Sequence, residues 1–434
     1  MRISSSFLLL FFSLNVFSQK VLTIEEAIGT ALKNNYDILL VKNDARSAAV
    51  DYNYAYAAFL PQLNGTAGKV WNDNKQKQNF IDGRKRSANV NSSNVSASVA
   101  LDWTLFDGLR MFATRSRFEQ LKELGEANIR VQVVNSIAAV INNYYNIVRQ
   151  KQQLRAIDTL MSINEERVKL ADKKISVGLG SKPELLQARV DLNAQRAARL
   201  LQETLIAQLR EQLNQLMAAP IQTEYDVSDS IPINFNLEYN NIATDIEKTN
   251  PGLLASAKTI DIARFALKER RAELFPTLQF NSAYNFNRLS NASVVNPEFQ
   301  PIFSLNNGFN YGFTARIPIL NGFNTRRLIK QAGLDLEYNQ LAYTTQKSRI
   351  DVGVSNSFKD YQYQKKALQL EEENISLAKE NVFIALERFR QGVSTYLELR
   401  EAQISLETAF NRLIAARYNT KLAETELLRL KGGL

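Results

Sequence analysis

The same stop-and-restart occurs twice in this chain. The stretch SVGLGSKPELL at 176–186 and the stretch RQGVSTYLELR at 390–400 align with Gly178 over Gly392, Leu179 over Val393, Ser181 over Thr395 and Glu184 over Glu398. Other landmarks keep the same offset, 214 or 215 residues: Leu60-Pro61 with Phe275-Pro276, Phe106-Asp107-Gly108 with Leu320-Asn321-Gly322, and Lys33-Asn34-Asn35-Tyr36 with Lys248-Thr249-Asn250-Pro251. Half the chain is therefore a copy of the other half, and one supersecondary unit must be built twice.

Within each copy the hydrophobic period changes in the same order. A short helix opens at Thr23, where Thr23 and Glu26 make a capping box, and breaks at Asn34-Asn35. A second helix runs to about Phe59, ahead of Pro61. The period then drops from 3.6 to 2 in strands at about 62–71 and 95–105, and again at 277–288 and 308–319. The first of these, with Gly65, Gly68 and Lys69, rests mainly on its place in the repeat. Apolar Val99, Leu101, Trp103, Phe280, Tyr284, Phe286, Phe309, Tyr311 and Phe313 alternate with polar residues such as Ser98, Asp102, Gln279, Asn281 and Asn310.

Long helical stretches follow, from about Gly108 to Ile175 and from Gly322 to Arg390, each spanning roughly 100 Å at 1.5 Å per residue. Return helices are expected over Lys182–Met217 and Tyr396–Leu430. The first has a candidate seam through Leu186, Val190, Ala194, Ala197, Leu201, Leu205, Leu209, Leu213 and Leu216. The second has one through Ala402, Leu406, Ala409, Leu413, Ala416, Ala423, Leu427 and Leu430. This divides the chain into a leader at 1–18, one repeat at 19–217 with its tip at 176–183, a Pro- and Asn-rich linker at 218–241, and a second repeat at 242–434 with its tip at 390–396. At the tips, Gly178 and Gly392 suit a left-handed helix end, and Ser181 and Thr395 suit capping boxes with Glu184 and Glu398.

Composition removes several functions. The chain has no cysteine and no histidine, so thiolate sites, disulfides and imidazole bases are excluded. No metal cluster, cofactor loop or catalytic constellation is present in the sequence, and Gly178-x-Gly180 lacks the rest of a dinucleotide fingerprint. The net charge of +9 is spread through Glu-rich helices, a solvated surface rather than a nucleic-acid footprint. Arg2, the apolar run from Phe7 to Phe17 and small Ser18 read as a secretory signal peptide cut near Ser18/Gln19. Strands of 10–12 residues with one apolar and one polar face suit a transmembrane barrel, and equally a soluble sandwich. Export favours the barrel. Four strands cannot close one, and unpaired edges are not tolerated in lipid, so two or three chains must combine.

The duplicated unit, the LP and FP steps into the strands, the FDG and LNG exits and the VGL and QGV turns together resemble the TolC-type outer-membrane efflux proteins. The resemblance covers nearly all of the chain beyond the leader. It implies an α+β membrane protein: a homotrimer with a 12-stranded β-barrel in outer-membrane lipid and a coiled-coil helical barrel in the periplasm. It implies partners, a periplasmic adaptor protein and an inner-membrane pump of the RND, ABC or MFS type, and a passive duct for drugs, metal ions or secreted polypeptides. It also implies adaptor docking at Val177, Gly178, Leu179, Gly392 and Val393, and an acidic constriction at Glu398 and Glu401. Where members of the family latch the entrance with a Tyr and an Arg, this sequence has Phe389 and Ser394. Glu184 keeps the acidic partner position, so a looser or different latch is expected. A periplasmic coiled-coil scaffold is the alternative, and it would have no need of the alternating strands.

Overall fold

The structure, a computed structural model, describes residues 21–296 and 298–434. The expected leader at 1–18 lies outside them. The chain divides into two units. A helical unit takes the residues up to Val41 with Ile129–Pro251 and Lys347–Leu434, and a sheet unit takes Lys42–Asn128 and Gly252–Gln346.

The duplication is visible in the element lengths. Helices α1 (Ile24–Asn34) and α2 (Tyr36–Tyr54) lead through a 3₁₀ turn at Ala55–Phe59 into the first strands; in the second copy α5 (Tyr239–Ala243), α6 (Ile246–Thr249) and α7 (Pro251–Ala272) lead into the strands without one. The long helices α3 (Arg110–Ser176) and α8 (Asn324–Arg390) are 67 residues each, and the return helices α4 (Lys182–Met217) and α9 (Tyr396–Lys431) are 36 each. One repeated contact shows why the Asn landmarks recur. Buried Asn35 donates from Nδ2 to the Leu216 carbonyl at 2.8 Å, and buried Asn250 donates to the Leu430 carbonyl at 2.7 Å. Each satisfies an orphan carbonyl at the end of its return helix. Asn35 also accepts from the Asp37 and Ile38 amides, which caps α2 where α1 breaks. At α1 the expected capping box of Thr23 and Glu26 is formed in both directions.

In the helical unit the linker is pinned rather than loose. Two-residue strands β1 (Val21–Leu22) and β4 (Asp226–Val227) pair in parallel, and the Tyr144 hydroxyl donates to the Leu22 carbonyl at 2.8 Å and accepts from the Ser228 amide at 3.1 Å. One core gathers Val140, Tyr144, Ile147, Val148, Leu213 and Met217; another gathers Leu160 of α3 with Leu368, Ile375 and Val382 of α8 and Leu406 and Leu413 of α9. Every residue of the α9 seam is buried. The α4 seam holds only at its C-terminal end, where Leu213 is buried and Leu209 and Leu216 pack against the core. Leu186, Val190, Ala194, Ala197, Leu201 and Leu205 are exposed, and there α4 instead buries Leu185, Ala188, Leu192 and Ile206. The helix carries two apolar stripes, and only one packs within the chain.

The sheet unit holds four antiparallel strands in the order β2 (Gln62–Asn79), β3 (Lys85–Phe106), β5 (Thr277–Asn291), β6 (Phe303–Arg316). The sheet is open, with β2 and β6 at its edges. The strands expected at 62–71 and 95–105 extend further, to Asn79 and from Lys85, through stretches where Ala88 and Val90 are the only apolar side chains and the alternation fades. The strand expected at 308–319 runs instead from Phe303 to Arg316, because Pro318 has no amide to donate to a ladder. At the exit from β3, Gly108 has φ +73° and a Cβ there would lie 2.4 Å from the Ala272 carbonyl oxygen, so only glycine fits.

Candidate functional site

Two surfaces carry the candidate residues, and each is built from local rules. At the helical tips, Gly178 and Gly392 adopt φ +74° and +77°. The Gly178 amide donates to the Ile175 carbonyl and the Leu179 amide to that of Lys174, both at 2.9 Å. Gly392 and Val393 repeat the pattern onto Phe389 and Arg388 at 3.1 and 3.0 Å. These are paired Schellman endings, which satisfy the last carbonyls of α3 and α8.

The restart differs between copies. Thr395 Oγ1 accepts from the Glu398 amide at 3.3 Å, which is one half of the expected box. Ser181 sits at the cap of α4 without a side-chain hydrogen bond; Pro183 in its first turn lacks a donor. The Ser181–Glu184 box is therefore absent. Val177, Leu179 and Val393 all point outward, Leu179 at 84% exposure, so both tips present apolar groups. Glu398 and Glu401 are exposed and, three residues apart, share one face of α9; Glu184 is half-buried.

Phe389 and Ser394 do not line that surface. Phe389 is 2% exposed, with the Lys174 ammonium 3.7 Å from its ring centroid, and Ser394 is buried with its hydroxyl donating to the Thr395 carbonyl at 3.3 Å. Both belong to the packing of the tip.

A polar network one step above the tips has no counterpart in the sequence reading. Arg167 of α3 is 1% exposed. It donates to Asp191 of α4 and, at 2.6 Å, to Gln403 Oε1 of α9, and its guanidinium lies 5.1 Å from the Tyr396 ring. Tyr396 donates to Asp191 at 3.3 Å and Arg400 approaches it at 3.6 Å. Burial alone would push the Asp191 carboxyl up, but the hydrogen bonds from Gln187 and Arg167 and the charges of Arg167 and Arg400 hold it below its ordinary value of 3.8. One signal could have found the pair: Arg167 and Asp191 are equally far from Leu179, so the hairpin brings them opposite each other.

In the sheet, register sorts every expected apolar residue onto one face. Trp103 stands beside Phe280 and Phe313; Leu101 beside Ser282 and Tyr311; Val99 beside Tyr284 and Phe309; Ala97 beside Phe286. Phe280 and Phe313 are tilted rings 5.1 Å apart, and Trp103 Nε1 donates to the Phe59 carbonyl at 2.9 Å. The opposite face is polar and bonded across strands: Ser98 donates to Asn285 at 2.8 Å, and Asn281 donates to Asp102 at 2.7 Å. Among the described residues no helix is long and apolar enough to cross a membrane, which leaves the strands as the two-faced surface of interest.

Residues 27–219 and 243–433, nearly all of both copies, match the outer membrane efflux proteins. The chain belongs to that family. The outer membrane protein TolC of Vibrio cholerae is 22% identical over 425 residues, covering 95% of this chain and 91% of that protein. The cation efflux system protein CusC of Escherichia coli K12 is 22% identical over 427 residues, covering 94% and 86%. In fold, a crystal structure of CusC superposes with a TM-score of 0.78 at 18% identity over 95% of this chain and 92% of that one. The Campylobacter jejuni CmeC outer membrane channel gives 0.77 at 16% identity over 94% and 85%. Membership makes the protein a channel component rather than an enzyme, and nothing among these relatives supports the scaffold alternative.

Proposed function

We infer that the protein is the outer-membrane exit duct of a tripartite efflux system, passive and without chemistry of its own. The observation that carries this reading is the open sheet of an outer membrane efflux family member, apolar on one face and polar on the other. In hydrocarbon its unpaired edges must be closed. Three copies would supply twelve strands, joining β6 of one to β2 of the next, with Val99, Leu101, Trp103, Phe280, Tyr284, Phe286, Phe309, Tyr311 and Phe313 toward lipid and the Asn- and Ser-rich face toward water. The exposed stripe of α4 supports the same assembly, because an unpartnered row of Leu and Val invites another helix.

The chain is then exported by its leader, and its long helices cross the periplasm. The apolar tips, Val177, Gly178 and Leu179 with Gly392 and Val393, dock a periplasmic adaptor that couples the duct to an inner-membrane pump. Glu398 and Glu401 of three copies ring the narrow entrance and draw cations into it. With Phe389 and Ser394 buried, the Arg167–Asp191–Gln403 network ties the two hairpins together and takes the place of the latch.

Single-channel conductance in a planar bilayer tests the duct and its gate together. Wild type is expected to form a cation-selective pore blocked by Mg²⁺ from the helical side, with the block relieved in Glu398→Gln/Glu401→Gln. A pore whose block ignores the double substitution moves the constriction elsewhere; an assembled protein that never conducts overturns the duct.

A further inference from the structure

Beyond its apolar rows, the same face of the sheet changes character. Counting from the helical end, rows at Trp103, Leu101, Val99, Ala97 and Val95 extend over roughly 27 Å of strand, which at a barrel's strand tilt rises about 20 Å, within an apolar band ~25 Å tall. At the last of these rows Val95 is flanked by Lys69 on β2 and Arg288 on β5. The next row carries Trp71 and Phe303. The Lys69 ammonium lies 4.7 Å from the Trp71 ring and the Arg288 guanidinium 5.5 Å from that of Phe303.

β2 and β3 then continue as a two-stranded ribbon past the last β5 pair, Ser92 with Asn291. On the ribbon, alternation places Lys75, Lys77 and Lys85 on the face of Lys69 and Arg288, against one acid, Asp73. The opposite face of the ribbon has Asn72, Asn74, Gln76 and Gln78 and one cation, Arg86, which donates to Asn296 at 2.8 Å. Lys69, Lys75, Lys77, Lys85 and Arg288 are all exposed, and among the described residues none has a carboxylate at salt-bridge distance.

Cations concentrated on one face, with a single Arg86 on the other, need a cause. A ribbon made basic for solubility alone would carry cations on both sides. Here they continue the apolar band and begin at its boundary, where aromatic side chains sit and where lipid headgroups would lie. Because β2, β3, β5 and β6 all join their helices at the other end, this end of the sheet is the one remote from the helices.

We propose that Lys69, Arg288, Lys75, Lys77 and Lys85 form a binding surface for the phosphate groups of anionic lipid in the outer leaflet. This rests on the reading that the sheet spans the membrane. Lys69 and Arg288 meet the headgroups at the edge of the hydrocarbon, and the ribbon lysines reach phosphates further out. Each cation near an anionic surface contributes up to about fivefold in affinity, the equivalent of ~1 kcal/mol.

The test uses the full chain purified in detergent, exchanged into mixed micelles with equal phosphatidate and phosphatidylcholine, and read by native mass spectrometry of retained lipid. Wild type is expected to retain phosphatidate in at least tenfold excess. Lys69→Gln/Lys75→Gln/Lys77→Gln/Lys85→Gln/Arg288→Gln is expected to abolish the excess, and Lys75→Gln/Lys77→Gln, confined to the ribbon, to reduce it severalfold. Arg130→Gln/Lys359→Gln/Lys366→Gln, on exposed helical positions, is expected to leave it unchanged. No phosphatidate preference in wild type, an undiminished preference in both sheet variants, or an equal loss in the helical variant overturns the proposal. Full displacement by 10 mM inorganic phosphate would also overturn it, in favour of a free-anion surface. Retention of neither lipid would instead contradict the membrane-spanning reading beneath it.

Discussion

The two return helices stand at the same place in the two copies and have the same 36 residues, yet they bury different amounts of themselves. Helix α9 packs its whole seam inside the chain. Helix α4 packs one stripe and leaves another in the open, including Leu186, Val190, Leu200 and Leu201. The difference can be followed position by position: Leu200 is 64% exposed, and Ile414, its counterpart in the second copy, is 5% exposed. Duplication supplied two equivalent hairpins, and their surfaces then diverged, one serving the fold of the chain and the other available to a second chain. Polar groups diverged as well. The Arg167–Asp191 pair of the first hairpin corresponds to Asn381 and Ser405 in the second.

The largest effect expected comes from that unshared pair. Asp191→Ala leaves Arg167 buried without its carboxylate and is expected to destabilise the helical unit by about 3–5 kcal/mol, read as an earlier loss of helical circular dichroism in denaturant. The equivalent change in the second copy, Ser405→Ala, is expected to stay within about 0.5 kcal/mol. The pair also sets a pH dependence. Because the folded Asp191 carboxyl titrates below its ordinary 3.8, its contribution is fully present above that value and is lost as pH falls through the lower folded value. Thermal scans carried from pH 6 to well below 3.8 are expected to show this loss in wild type and not in Asp191→Ala.

Next in size is the contrast between the seams. Leu427→Ala, at 0% exposure in α9, is expected to cost about 2–5 kcal/mol. Leu201→Ala, at 62% exposure in α4, is expected to cost less than about 0.5 kcal/mol in the unassembled chain. A comparable loss in the two variants, measured on unassembled protein, would erase the distinction drawn between the helices.

The smallest effect distinguishes the two tips. Thr395→Ala removes a formed cap and is expected to cost about 0.5–2 kcal/mol. Ser181→Ala removes none and is expected to be silent. Hydrogen exchange of the first-turn amides of α9 and α4 reads both.

These contrasts also mark where the residues speak for themselves. The α9 seam was legible because Ala and Leu recur at heptad spacing with polar residues between them. The α4 seam was legible only from Leu209 to Leu216; before that, Leu185-Leu186 and Leu200-Leu201 put apolar side chains on adjacent faces and periodicity cannot choose between them. Turn positions were legible from Gly178 and Gly392, whose left-handed backbone glycine tolerates; the cap at Ser181 was not, because hydroxyl geometry depends on the path of the chain through Gly180 and Pro183. Strand faces followed from alternation in 95–105 and 277–288. The ribbon at 72–79 and 85–92 was hidden because polar Asn, Gln, Lys and Ser dominate both of its faces, and only pairing reveals that its lysines share one. For the candidate site, the tips and the acidic pair were accessible through resemblance. Burial of Phe389 and the contacts of Arg167 needed the packing of three helices, which spacing along one chain does not encode.

The most direct measurement is the number of chains per particle, by native mass spectrometry of the full-length protein in detergent, for wild type and for Leu186→Asp/Val190→Asp/Leu201→Asp. Three chains are predicted in wild type and a single chain in the variant, with helical content unchanged, because the charges fall on the stripe that the proposed assembly covers with another copy. A wild-type particle of one chain, or a variant that still assembles as three, would contradict it.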